Sequence, residues 1–129
     1  MTAISELESW IENAEEDYAA AKALIRLRKP LTAGACFHAQ QCAEKYLKSL
    51  LIYKDIDFPK THDLPSLNTL CNHAGIITGF EVRQLIDLTE CAVRRRYPGS
   101  QPTLEEAREA IKIAKTIRKF SRRFLGLKR

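Results

Sequence analysis

No run of apolar residues in this chain approaches the roughly 20 that a membrane-spanning helix needs. The first ten residues, Met1 to Trp10, are acidic and amphipathic, and lack the basic flank and apolar core of a secretion signal. A cytoplasmic location with no membrane contact is therefore expected. The four cysteines, at 36, 42, 71 and 91, form no Cys-x-x-Cys pair, which removes the main support for a zinc ribbon or a thioredoxin-type site. Cys36, His38 and Cys42 are close in sequence, but on a helix Cys36 and Cys42 point about 120° apart, a poor arrangement for one ion. Buried free thiols, with no metal and no cofactor, are the expectation. Internal repeats, low-complexity segments and convincing strands are also lacking.

What is present is an ordinary globular composition: 129 residues, 45% hydrophobic and 29% charged. That length suits a single domain (residues 1–129) with one core. The net charge of +5 is unevenly distributed. Residues 1–17 hold six acids and no Lys or Arg, whereas residues 105–129 hold nine basic residues and three acids. Such asymmetry can attract an acidic partner, or let the first and last helices lie side by side.

Punctuation and periodicity divide the chain into five helical segments. Ser5-Glu6-Leu7-Glu8 has the form of a capping box, followed by an apolar face of Leu7, Trp10, Ile11, Ala14, Tyr18, Ala21 and Ile25 that Pro30 closes. Thr32 can cap a second helix over residues 33–54, broken by the stretch from Asp55 to Pro59. Asp63 can cap a short helix from Leu64 to Asn72, with Pro65 tolerated in the first turn. Thr78-Gly79-Phe80-Glu81 is a second capping box, opening a helix that must end by Tyr97, because Pro98 disfavours helical geometry before it. Thr103-Leu104-Glu105-Glu106 is a third, opening a last helix with apolar positions Ala107, Ile111, Ala114, Ile117, Phe120 and Phe124. Its neighbouring stripe, Arg108, Lys112, Lys115, Lys119 and Arg122, is uniformly basic. Short links favour antiparallel neighbours, so the predicted fold is all-α: an up-and-down antiparallel bundle of four long helices plus one short helix.

The second helix carries two stripes. Ala39, Ala43, Tyr46, Leu50 and Tyr53, flanked by Cys42, Leu47 and Leu51, form an apolar one. His38, Gln41, Lys45 and Lys48, spaced 3, 4 and 3, stack on one face as a column of donors suited to an anion. Beyond it, Lys60-Thr61-His62-Asp63-Leu64 sits at a helix N-terminus, where free N–H groups attract anions. Asp63 serves there as the cap, leaving His62 to project or to hold the loop. Arg94, Arg95, Arg96 and Tyr97 end the fourth helix, and guanidinium groups beside an aromatic ring suit phosphate and base contacts. If the end of the fourth helix lies near the end of the second, Lys45, Lys48, His62 and Arg96 form one basic site, with His38 a possible member.

The stretch Phe37-His38-Ala39-Gln40-Gln41-Cys42-Ala43-Glu44-Lys45-Tyr46-Leu47-Lys48, then Lys60-Thr61-His62-Asp63-Leu64, then Arg96-Tyr97-Pro98, resembles the HEPN domain (higher eukaryotes and prokaryotes nucleotide-binding). The resemblance covers nearly the whole chain, with three motifs in the family's order. It implies a bundle of four long helices plus a short one, often a homodimer. It also implies a minimal nucleotidyltransferase as partner, in modules of toxin–antitoxin type. The family includes metal-independent endoribonucleases marked by Arg, four to six residues, then His. Here the histidines are at 38, 62 and 73, nine residues separate Arg28 from His38, and no arginine lies between His38 and His73. The motif is absent, which argues against catalysis.

These readings converge on a non-catalytic protein that binds a nucleotide or RNA phosphate through His38, Gln41, Lys45, Lys48, His62 and Arg94 to Tyr97. It is expected to dimerise and to partner a nucleotidyltransferase. The alternatives are an endoribonuclease with an atypical His/Arg site, and a dimeric adaptor in which the same residues only fix the loop.

Overall fold

The computed structural model describes residues 3–94 and 99–128, with residues 3 and 94 described by their backbone alone. Among the described residues there are five helices and no strand: α1 (Ala3–Arg26), α2 (Thr32–Tyr53), α3 (Leu64–His73), α4 (Val82–Arg94) and α5 (Leu104–Phe124). None is long and apolar enough to cross a membrane.

Local chemistry sets some of these boundaries as predicted. Thr103 accepts from the Glu106 N–H at 3.0 Å while the Glu106 carboxylate accepts from the Thr103 N–H at 2.9 Å, a complete capping box. Asp63 caps α3 by accepting from the Ser66 N–H at 3.2 Å. Elsewhere packing overrides the local signal. α1 begins before Ser5, which sits in the first turn rather than at the cap. Thr32 is already helical, and Leu31 precedes α2 without a side-chain cap. The Thr78 hydroxyl donates to Asn68 Oδ1 at 2.6 Å, tying the loop to α3. The helix it was expected to open starts only at Val82, with Glu81 supplying the first carbonyl.

α2 is the hub and packs against every other helix, while α1 and α4 lie apart on either side of it. α1 runs antiparallel to it: Glu15 reaches Tyr46, and Leu24 lies so near Gly34 that a Cβ there would come within 3.0 Å of its Cδ1. α4 is also antiparallel, joining Cys91 near its end to Cys36 near the start of α2. α5 runs parallel to α2, with Gln101 beside Leu31 at one end and Phe124 against Tyr53 at the other. The end of α4 therefore lies at the beginning of α2, not at its end as expected from sequence. Consecutive long helices alternate in direction, so α1 and α4 share one direction and α2 and α5 share the other.

Much of the core comes from the predicted apolar faces, but Leu64, Leu67, Ile76 and Leu88 join it from outside them and Phe124, on the predicted face of α5, is 37% exposed. Tyr46, Leu47, Leu50, Leu51, Leu64, Leu67, Ile76, Leu85, Leu88 and Ile117 are essentially inaccessible. Each such leucine contributes roughly 1.5–3 kcal/mol relative to exposure. Tyr53 departs from its stripe: it is 55% exposed and meets Phe124 edge to face at 5.9 Å. The cysteine expectation holds for Cys42 and Cys71, which are buried thiols, but not for Cys36 and Cys91, which form a disulfide between α2 and α4. Helix pairing brought together two residues 55 apart in sequence, with their Cα atoms 5.8 Å apart, inside the range a disulfide requires. Burial pushes the Cys71 thiol up to about 12 and raises Cys42 as well, so neither is a ready nucleophile.

Candidate nucleotide-binding cleft

The donor column on α2 meets two buried carboxylates. Asp17 of α1, 8% exposed, takes His38 Nδ1 at 2.8 Å on one oxygen and Lys45 Nζ at 2.6 Å on the other. Seven residues separate His38 from Lys45, two turns of one face, so a single acid from α1 can span them. Glu44, 3% exposed, holds Lys48 Nζ at 3.0 Å and His62 Nδ1 at 2.8 Å. Lys48 is itself buried, with Trp10 and Phe58 over its ammonium at 5.5 and 5.7 Å. Charges so deep persist only when paired, and removing either partner leaves the other stranded.

The loop before α3 folds back along α2. Gln40 donates to the His62 carbonyl at 3.0 Å and to Glu44 at 3.2 Å, while Gln41 donates to Gln40 Oε1 at 3.0 Å. Thr61 accepts from the Asp63 N–H at 3.1 Å, leaving Asp63 free to cap. The His62 side chain nevertheless stands 79% exposed. With Nδ1 held by a buried carboxylate, its Nε2 is the atom presented outward.

Beside His62 is a cleft of about 270 Å³ between α2 and α4, lined by Phe37, Gln40, Gln41, His62, Thr89, Ala92 and Val93. Val93 precedes Arg94, the last residue of α4, whose side chain lies outside the described residues together with Arg95, Arg96 and Tyr97. The structure thus brings together Gln41 and His62 at the cleft, and ties Lys48 to His62 through Glu44. It holds His38 and Lys45 in a separate cluster on Asp17.

A third polar network joins α1 to α5. Glu15 accepts from Arg118 Nε and Nη2, both at 2.7 Å, and from the Tyr46 hydroxyl, while Arg122 donates to Tyr46 Oη at 3.2 Å. Burial would raise the Glu15 carboxyl, but the Arg118 and Tyr46 hydrogen bonds and the charges of Arg118 and Arg122 outweigh it and hold the group below the usual carboxylate range. Tyr46 is raised by its burial and by the bond to Glu15.

Sequence reasoning did not single out Asp17, Gln40, Glu44 or Glu15. Glu44 carried a local signal, lying four residues before Lys48 and four after Gln40. Asp17 carried none, because its partners are on another helix.

The HEPN domain family model matches residues 7–124. The chain belongs to the HEPN family. Two solved structures are similar to this HEPN protein. TT1696 from Thermus thermophilus has 26% identity and a TM-score of 0.74, covering 91% of this chain and 96% of its own. ST0689, described as an archaeal HEPN homologue, has 25% identity and a TM-score of 0.70, covering 92% and 97%. No curated protein matches the chain significantly.

Proposed function

We propose that this HEPN protein binds the phosphate of a nucleotide or RNA at the α2/α4 cleft. In this reading His62 and Gln41 supply donors from one wall, and Arg94, Arg95, Arg96 and Tyr97 supply cationic and stacking groups from the segment after Val93. It acts as a cytoplasmic homodimer and as partner of a minimal nucleotidyltransferase, in a module of toxin–antitoxin type. The observation that supports it best is His62, exposed at the cleft edge while its Nδ1 is held by buried Glu44. A ring held this way has little freedom left to lose and, when protonated, directs its Nε2–H at an anion. Lys45 and Lys48 act in this reading as supports, since Asp17 and Glu44 already occupy their charges.

The same dyad favours a second reading, because a carboxylate-oriented imidazole can also serve as a base toward an RNA 2′-hydroxyl. One experiment separates the two. A labelled RNA and a mononucleotide are titrated into wild type, His62→Ala and Arg96→Ala, and the RNA is incubated in chelator and inspected for cleavage. Mononucleotide binding weakened about tenfold or more by each substitution, with the RNA intact, is the expected result; the loss corresponds to one charge-assisted contact. Unchanged binding in both variants would sink the cleft. Metal-independent cleavage lost in His62→Ala would replace it with the ribonuclease reading.

A further inference from the structure

The cations of α5 have a different fate from those of α2. Lys112, Lys115, Lys119 and Arg123 follow one another at three, four and four residues, within about an 80° arc of the helix. All are exposed, and none of their side chains has a hydrogen bond or ion pair among the described residues. The row rises about 16 Å along the axis. The helix dipole accounts for cations in the last turn, but not for Lys112 and Lys115 in the middle. Among the described residues the one acid of α1 paired with α5, Glu15, is shared by Arg118 and Arg122, so it leaves surplus positive charge. Near the end of the row a groove of about 530 Å³ is lined by Arg118, Lys119, Arg122 and Arg123. At this end of α5 Phe124 is 37% exposed and stands against Tyr53, which is 55% exposed.

We infer that this ridge is a second binding surface, separate from the cleft, for the backbone of a single-stranded polynucleotide. Repeated cations of one sign along a line match a repeated phosphate. The pair of exposed rings at the end of α5 matches unstacked bases, which an acidic protein does not offer. The aromatic end lies on α2 about 18 Å beyond Gln41, so the ridge and the cleft are engaged independently.

Fluorescence anisotropy with a labelled oligouridylate of about twelve nucleotides tests this, a length within the range one such surface covers. The slope of log affinity against log salt should be near −3, as about four neutralised phosphates predict for a single strand. The Lys115→Glu/Lys119→Glu variant should lose at least about tenfold in affinity and flatten the slope by about 1.4. Phe124→Ala should lose about fivefold or more through stacking. His62→Ala should leave this component in place. Unchanged binding in the double variant overturns the inference, whatever the cleft does. So does duplex RNA or poly-glutamate binding as well as the single strand while Phe124→Ala has no effect. Loss in His62→Ala alone overturns the ridge and leaves the cleft standing.

Discussion

The α2 column and the α5 row look alike in sequence, each a line of cationic or donor groups at helical spacing, and they differ in what faces them. On α2, Asp17 answers His38 and Lys45, and Glu44 answers Lys48 and His62. On α5, Lys112, Lys115, Lys119 and Arg123 face solvent with no partner among the described residues. The difference follows from position in the bundle. α2 packs against all four other helices and buries Gln40, Glu44 and Lys48, so these polar groups must be matched. α5 is peripheral, and water satisfies its lysines. A donor stripe on a central helix therefore reads first as a buried network, and only what protrudes from that network is free for a ligand. Here His62 protrudes.

The largest effect should come from breaking the α2 side of the contrast. Glu44→Ala strands the buried Lys48 ammonium and is expected to cost about 3–5 kcal/mol in urea unfolding. Pairing it with Lys48→Met should recover most of that loss. A cost below about 1 kcal/mol would show that Lys48 escapes to solvent.

Next in size is the covalent tie between α2 and α4. Reduction, or Cys36→Ser with Cys91→Ser, opens a loop of 55 residues and should lower stability by roughly 2–4 kcal/mol. Peptide mapping without reductant checks the bond itself. In a reducing cytoplasm the pair would stand as two thiols, so the stabilisation is redox-dependent.

A smaller effect is expected where α1 meets α5. Because the Glu15 carboxyl is held low in the fold, it adds stability above the usual carboxylate range. That contribution is lost as the pH falls through its folded value, since the unfolded chain takes up the proton first. Glu15→Gln should cost about 2 kcal/mol at neutral pH and make the acid unfolding curve shallower. An unaltered acid limb would remove Glu15 from the account.

The smallest effect belongs to the ridge. Lys119→Ala should change stability by less than about 0.5 kcal/mol, as surface substitutions without partners do. A larger loss in thermal unfolding would mean that the lysine is partnered in solution and that the contrast with α2 is overstated.

The helices were legible in sequence because each core face repeats at helical period and because Thr103-Leu104-Glu105-Glu106 and Asp63 are caps whose chemistry is local. Ser5, Thr32 and Thr78 misled for the complementary reason. A capping residue competes with packing, and Thr78 is used instead to bind Asn68. His62 and Gln41, the donors of the proposed site, were singled out from residue type and spacing. Asp17 was harder to see, because it lies 21 residues from His38 and meets it only across a helix pair. The Cys36–Cys91 bond was invisible for the same reason. The direction of α4 relative to α2 decided which donors share a site, and periodicity carries no information on that.

The most direct test of the central claim, that the cleft and not the α2 lysines receives the phosphate, is a side-chain NMR titration with adenosine monophosphate. The account predicts perturbation of the His62 imidazole and the Gln41 amide, with the Lys48 ammonium and its bond to Glu44 unmoved. Shifts confined to Lys45 and Lys48, with His62 silent, would contradict it.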